Sequence, residues 1–156
     1  MEPARSTIDA LLAGRGPTSE VLQETLEIVL AAFECATGTI HLLNRDTQLL
    51  ELAAQRGIPD SIMNQVREIP IGKGMAGLAA QRLEPVQVCN LQKDSSGDVR
   101  PGARPTKMEG SIALPMLLGD ELRGTIGVAK PVVYEFTAEE IAALEGIAGT
   151  IAARLA

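Results

Sequence analysis

Two apolar runs, Ser111–Leu117 and Leu122–Lys130, are joined by a short link centred on Gly119-Asp120. A parallel neighbour needs a crossover of a dozen or more residues, so a link this short makes the two runs adjacent antiparallel strands. Glycine first in a two-residue loop suits a type II′ turn, whose twist matches that of the flanking strands. Any fold for this chain must therefore accommodate an antiparallel hairpin near the C-terminal end. The segment after it is as definite. Thr137-Ala138-Glu139-Glu140 reads as a capping box, in which the Thr and the second Glu each satisfy a backbone N–H of the first turn. Ile141, Leu144, Ile147, Ile151 and Leu155 then recur on one face of a long helix.

The N-terminal half supplies another long helix and another strand pair. Thr18 is placed to cap a helix whose apolar stripe is Val21, Leu22, Leu26, Val29, Leu30 and Phe33, and Gly38 is placed to end it. Thr39–Asn44 and Gln48–Gln55 read as strands about a turn-rich Asn44-Arg45-Asp46-Thr47. Shorter pieces follow: a helix over Asp60–Val66, a brief strand with Ile69 and Ile71, a helix over Ala76–Arg82 and a strand over Pro85–Cys89. Residues 1–17 read as a short arm, with a helical turn through Ile8, Leu11 and Leu12 ended by Gly14-Arg15-Gly16-Pro17. Residues 18–156 then form one domain, as the length predicts. Long helices at the ends with strands and short helices between them describe an α+β domain with a largely antiparallel sheet. The terminal helices would lie together on one face.

Gly72-Lys73-Gly74-Met75-Ala76-Gly77 is a formal G-x-G-x-x-G. The dinucleotide-binding form of that pattern needs a buried strand before it and a full crossover helix after it, opening a parallel unit. Here the preceding strand contains Pro70, and the helix that follows is about two turns long. Two strands and a helix already precede it. Asp94, the acid downstream, falls in a stretch rich in Gly and Pro. The pattern reads instead as backbone geometry. Gly72 and Gly74 permit a tight strand-to-helix turn, and Gly77 lets the short helix approach the sheet.

Residues 90–109, NLQKDSSGDVRPGARPTKME, have no apolar period. A connection this long inside a compact domain is either functional or disordered. Lys93, Arg100, Arg104 and Lys107 against Asp94, Asp98 and Glu109 leave it one net positive charge on a chain of net charge −6. Arg forks and backbone N–H groups can hold a small anion. Charges that only keep a loop solvated are the plainer reading of the same residues. Cys89, Asn90 and Ser111 flank the segment at strand ends, and Met75 and Met108 offer adaptable apolar walls or simple core packing.

The acidic balance and the scarcity of aromatics (no Trp, one Tyr, two Phe) argue against nucleic acid as a partner. No basic amphipathic helix and no run of ~18 apolar residues points to a membrane. The N-terminus lacks a signal pattern, so a cytoplasmic location is expected. Cys35, Cys89 and His41 are the chain's only cysteines and histidine; they form no metal-ligand spacing, and the cysteines are expected to be reduced. No cofactor is expected. His41, a lone histidine on an apolar strand, reads as an ordinary half-buried residue rather than a haem ligand.

Ile71-Gly72-Lys73-Gly74-Met75-Ala76-Gly77 resembles the I-G-x-G-x-x-G element of GAF domains. Other elements follow in order. Glu84-Pro85-Val86-Gln87-Val88 is similar to the family's P-v-x-V strand, and Gly110-Ser111-Ile112-Ala113-Leu114-Pro115 to its S-x-l-a-v-P strand. Leu122-Arg123-Gly124-Thr125-Ile126-Gly127-Val128 resembles l-x-G-v-l-x-l, and Phe136-Thr137-Ala138-Glu139-Glu140 the F-t-x-e-D helix start. Upstream, Leu49–Gly57 fits L-x-x-x-a-x-x-G. The resemblance runs from about residue 18 to residue 155.

The resemblance implies a GAF-like α+β fold. Its central sheet of about six strands would be largely antiparallel, with the N- and C-terminal helices on one face and short helices plus the long loop over the other. It implies a sensory or regulatory module that binds a small molecule between the sheet and loop 90–109. Such a module would dimerise through its terminal helices and signal in trans to a partner such as a histidine kinase. Met75, Cys89, Asn90, Asp94, Arg100, Arg104, Met108 and Ser111 are then the candidate ligand-binding residues, and a small anion is one candidate ligand. Ala142, Ala143, Ala148, Ala152 and Ala153 widen the apolar surface of the last helix, which favours a homodimer over a purely intramolecular helix pair. No catalytic residue is assigned. The enzymatic alternative is a free methionine-(R)-sulfoxide reductase, whose cysteines would fall at Ala76 and near Arg104, and neither position is a cysteine. Bilin attachment lacks its Cys-His pair. The cyclic-nucleotide signature N-K…F-x-x-x-D-E is met only by Lys130 and Phe136, with Glu140 a conservative acid. A ligand-free dimerisation module is the third reading.

Overall fold

The computed structural model describes residues 2–90 and 107–155. In chain order the elements are α1 (Glu2–Ala13), α2 (Thr18–Ala32), β1 (Thr37–Asn44), β2 (Leu49–Arg56), α3 (Asp60–Val66), β3 (Glu68–Pro70), α4 (Gly74–Arg82), β4 (Val86–Val88), β5 (Gly110–Leu118), β6 (Glu121–Lys130) and α5 (Ala138–Arg154). The strands form one sheet in the order β3-β2-β1-β6-β5-β4. Every neighbouring pair is antiparallel. The architecture is the α+β arrangement that the element order predicts. Leu118 pairs with Glu121 across Gly119-Asp120, and φ is +63° at Gly119, the residue where a type II′ turn demands a positive value.

Side chains alternate between the two faces of a strand. Ile40 of β1, Ile112, Leu114 and Met116 of β5, and Ile126 and Val128 of β6 all point to one side. There they meet Leu22, Leu26, Val29 and Leu30 of α2 and Leu144, Ile147 and Ile151 of α5 in one continuous core. The opposite side carries α3 and α4 over three smaller apolar clusters.

α2 ends differently from the sequence expectation. Glu34, with φ +55°, turns the chain into the left-handed region. The Cys35 N–H donates to Leu30 O (2.9 Å) and the Glu34 N–H to Ala31 O (3.4 Å), which is the Schellman pattern. Gly38 lies inside β1 instead. A Cβ there would stand 2.9 Å from Leu30 Cδ2 and 3.0 Å from Gly127 O, so the glycine serves close helix-to-sheet packing. Thr18 is the first helical residue rather than the cap; Pro17 takes the cap position without a side-chain hydrogen bond. α5 has its predicted capping box. Glu140 N–H donates to Thr137 Oγ1 (3.1 Å), and Thr137 N–H donates to Glu140 Oε1 (2.9 Å).

Residues 2–13 form a full helix rather than a single turn. α1 packs against both α2 and α5, burying Ile8 and Leu12 in the main core. Arg5 Nη2 donates to Thr150 Oγ1 (3.1 Å) and Gly146 O (3.3 Å). Arg154 Nη1 donates to Leu12 O (2.9 Å) and Gly14 O (2.6 Å), and its Nη2 to Gly16 O (2.7 Å). The sequence signal was weak because α1 buries only two side chains, four residues apart, with Leu11 partly buried beside them.

Candidate functional site

The glycine element sets the position of α4. Gly72 and Gly74 have φ of +92° and +66°, and the turn closes through Gly72 N–H to Gly77 O (2.7 Å). A Cβ on Gly77 would lie 2.5 Å from Pro70 O, at the end of β3. Only glycine allows that approach. α4 is therefore held against the sheet with Met75 at its inner start. Met75 packs against two clusters, that of Val88, Met108 and Ala129 and that of Ala79, Val86 and Ala113.

Strand register lays out the floor beneath α3 and α4. Thr37, Ala129, Ser111 and Val88 align across β1, β6, β5 and β4. Thr39, Gly127, Ala113 and Val86 form the next row on the same face. His41, Thr125 and Pro115 form the one after. Thr39 and Gly127 occupy the two central strands, yet both stay partly exposed. The floor is thus open at its middle, and the His41–Thr125 row next to it is closed.

The sequence candidates divide three ways. Met75 and Met108 meet in the cluster with Val88 and Ala129, and Met108 is buried there. Ser111 is half-buried in the adjacent row, and its Oγ donates to Val128 O at 3.5 Å. Cys89 is exposed, and its carbonyl accepts from Tyr134 N–H (3.1 Å); Asn90 beside it is half-buried. Asp94, Arg100 and Arg104 lie outside the described residues. Sequence reasoning missed His41 and Thr125. His41 is 1% exposed rather than half-buried, because α3 ends over it: Nε2 sits 2.7 Å from Val66 O. Burial lowers the pKa of its ring, opposed by the bond to Val66, so His41 is neutral near pH 7. The available signal was alternation, which puts Thr39 and His41 on one face of β1 and Thr125 and Gly127 on one face of β6.

Lys130, Phe136 and Glu140 come together at the C-terminal end of α2. Lys130 Nζ donates to the carbonyls of Phe33 and Glu34 and sits 4.5 Å from the centre of the Tyr134 ring. A buried cation here satisfies helix-end carbonyls. Burial pushes the Glu140 carboxyl up, but its bonds from Thr137 and Tyr134 and the Lys130 charge outweigh that and hold it below the usual range. The three residues shared with the cyclic-nucleotide signature thus fasten α2 to the start of α5. Cys35 is close by; burial, opposed by Lys130, pushes its thiol up to about 11. A separate cleft of about 360 Å³ opens at the far end of the sheet, lined by Leu42, Leu43, Arg45, Leu122, Arg123 and Leu155. Both arginines there already pair with Glu121. Among the described residues, no group of three or more His, Cys, Asp and Glu side chains is placed to hold a metal ion.

The family model for the GAF domain matches residues 17–156. The chain belongs to the GAF domain family. Solved GAF structures superpose closely on it. The GAF domain of a phosphoenolpyruvate-protein phosphotransferase from Coxiella burnetii aligns with TM-score 0.85 at 18% identity, over 98% of this chain and 90% of that one. The equivalent domain from Acinetobacter gives 0.82 at 18% identity, over 98% and 90%. The free methionine-R-sulfoxide reductase from Neisseria meningitidis, solved with its substrate, gives 0.79 at 19% identity, over 94% and 83%. No curated protein matches the chain in sequence. Likeness at this level of identity establishes the GAF fold shared by regulatory domains and by an enzyme; it assigns neither role.

Proposed function

We propose that this GAF domain is a regulatory module that binds a small molecule on the α3–α4 face of its sheet and signals to a partner. The observation that carries this reading is the open centre of that face. Thr39 and Gly127 remain partly exposed on the two central strands, while the opposite face of the same strands is sealed by α2 and α5. The opening is bordered by one adaptable apolar side chain, Met75, and by the Thr39 and Ser111 hydroxyls. Concave, mostly apolar sites with a few fixed polar groups are the usual form of small-molecule sites.

The rest of the reading extends from there. Residues 90–109 close over the ligand, with Asp94, Arg100 and Arg104 as contributors and Cys89 and Asn90 at the rim, and a small anion is a candidate for the outer end. β1 and β6 bear the site on one face and pack on α2 and α5 on the other, so a shift of these strands on binding reaches the helices directly. That is a population shift between two packings rather than a wire. The helices carry it to a second copy of the chain, and the dimer acts on a partner such as a histidine kinase. α1 covers part of the α2–α5 surface; Ala142 and Ala153 stay exposed on α5. A cytoplasmic location goes with this reading, and no helix among the described residues is long and apolar enough to cross a membrane.

The Neisseria likeness favours a second reading, turnover of free methionine sulfoxide. Two features weigh toward binding without turnover. Ala76 stands in the glycine element where that enzyme class carries a cysteine, and the Cys35 thiol at about 11 is a poor source of thiolate. Native mass spectrometry of freshly purified protein tests both copy number and retained ligand. A dimer with added mass is expected. Reduction of free methionine-(R)-sulfoxide that disappears in Cys89→Ser would replace binding with catalysis.

A further inference from the structure

His41 of β1 and Thr125 of β6 stand directly opposite each other on the α3–α4 face, and each is 1% exposed. Opposed residues of an antiparallel pair carry their Cβ atoms ~5 Å apart on the same side. The His41 ring is fixed at one end by Val66 O. A carbonyl only accepts, so Nε2 carries the proton, and the neutral ring presents Nδ1 as a bare acceptor. Among the described residues, neither His41 Nδ1 nor Thr125 Oγ1 has a hydrogen-bond partner. The great majority of buried polar atoms in proteins are paired. Two orphans on facing residues lie one repeat of the pleat (~7 Å) from the open Thr39–Gly127 row, and a third group can answer both once the closed row parts to admit it.

We infer that His41 Nδ1 and Thr125 Oγ1 together hold a hydroxyl group of a neutral ligand at the inner end of the site, an inference that rests on the small-molecule reading above. One oxygen answers both orphans, because a hydroxyl donates to Nδ1 and accepts from the Thr125 O–H. A carboxylate brings no proton and would set its lone pairs against that of Nδ1. An ammonium group would lose its water here without a counter-charge. The cross-strand neighbours are Leu52 and Pro115 and the next positions along the strands are Thr39, Leu43 and Gly127, none of them charged; the one charged residue close along β6, Arg123, lies at a register shift and already pairs with Glu121.

His41 is the chain's one histidine, so its ring nitrogens are read without assignment ambiguity. The test is a long-range ¹⁵N–¹H correlation experiment on the full chain, titrated with glycerol and, separately, with sodium acetate. The ¹³C-methyl signal of Met75, assigned through Met75→Leu, reports occupancy of the site independently. Glycerol is expected to move Nδ1 upfield in a saturable way and to move Met75 with it, while acetate leaves Nδ1 in place. Thr125→Val should weaken the glycerol response at least tenfold, and Thr125→Ser should keep it. If Met75 responds to glycerol but Nδ1 does not, or if Thr125→Val responds as the parent does, the anchor falls and the site stands. A single tightly held water bridging the pair would give that outcome. If neither probe moves Met75 or Nδ1, both the anchor and the small-molecule reading are overturned.

Discussion

The two faces of this sheet come from the same strands and do opposite things. The face toward α2 and α5 holds one continuous apolar core, from Ile40 to Ile126, which runs on to α1 through Ile8 and Leu12. The face toward α3 and α4 is broken into three small clusters, with His41, Thr125, Thr39 and Ser111 among them. In an alternating strand each residue serves one face only. The chain can therefore place its stability on one side and leave the other side polar, partly open and adaptable. Stability in proteins is a small difference between large terms, so an open, polar face is tolerable only where the sealed one carries the fold.

That contrast can be broken by experiment, and the largest effects should test it first. Leu26→Ala removes a fully buried side chain from the sealed face and should cost about 3 kcal/mol in urea unfolding, whereas half-buried Leu78→Ala on α4 should cost about 1 kcal/mol. Equal costs would erase the distinction between the faces. Gly77→Ala comes next. Its new Cβ meets the Pro70 backbone carbonyl at 2.5 Å, which a flexible side chain cannot relieve, and about 2 kcal/mol of destabilisation is expected, with α4 displaced from the sheet.

A pair of threonines sharpens the comparison further. Thr25, on the sealed side, is buried with its hydroxyl donating to Val21 O at 2.7 Å. The Thr125 hydroxyl is buried and has no hydrogen-bond partner among the described residues. Thr25→Val should destabilise the ligand-free protein by about 1 kcal/mol, and Thr125→Val should stabilise it by about the same amount. The opposite signs, read by thermal and chemical unfolding, are the point; two losses of equal size would mean that Thr125 is satisfied in solution.

The smallest effect is with pH. The native His41 pKa is below the ordinary 6.5, so the unfolded state binds the proton first. Its contribution is constant above pH 6.5, and stability falls as the pH drops from about 6.5 through the native pKa. His41→Leu should remove that part of the slope. Glu140, whose native pKa is also depressed, acts in a lower window, from about 4.5 down, and stays in both proteins.

Much of this could be read directly from residues. The Gly119-Asp120 link, the Thr137–Glu140 box and the stripes of α2 and α5 are local signals, and each element formed where its signal lay. The glycine element was legible for the same reason: positive φ at Gly72 and Gly74 is a property of a few consecutive residues. The errors arose where a residue's role depended on something distant. Gly38 looked like a helix stop because it follows a helix, but its constraint comes from Leu30 and from Gly127 on another strand. α1 looked like a turn because its partners, Gly146, Thr150 and Arg154, lie more than a hundred residues away. Met75 and Met108 do meet in one cluster, with Ser111 in the adjacent row, because all three lie beside the glycine element or at the ends of the long segment. His41 and Thr125 were missed because an unpaired atom is not a property of a sequence.

The sequence by itself determined the fold class, the order of elements, the antiparallel hairpin and the family, because each rests on periodicity, turn chemistry or short ordered motifs that act locally. Only the tertiary structure decided which residues share a face at the sheet centre and which polar groups find partners there. It sealed one face with α2 and α5, capped by α1. On the other it pinned His41 to the end of α3 and left its Nδ1 and the hydroxyl of the opposed Thr125 without a partner among the described residues. The physical reason is register. Alternation assigns a side chain to a face, but only strand pairing and the helices laid over it fix what that side chain meets.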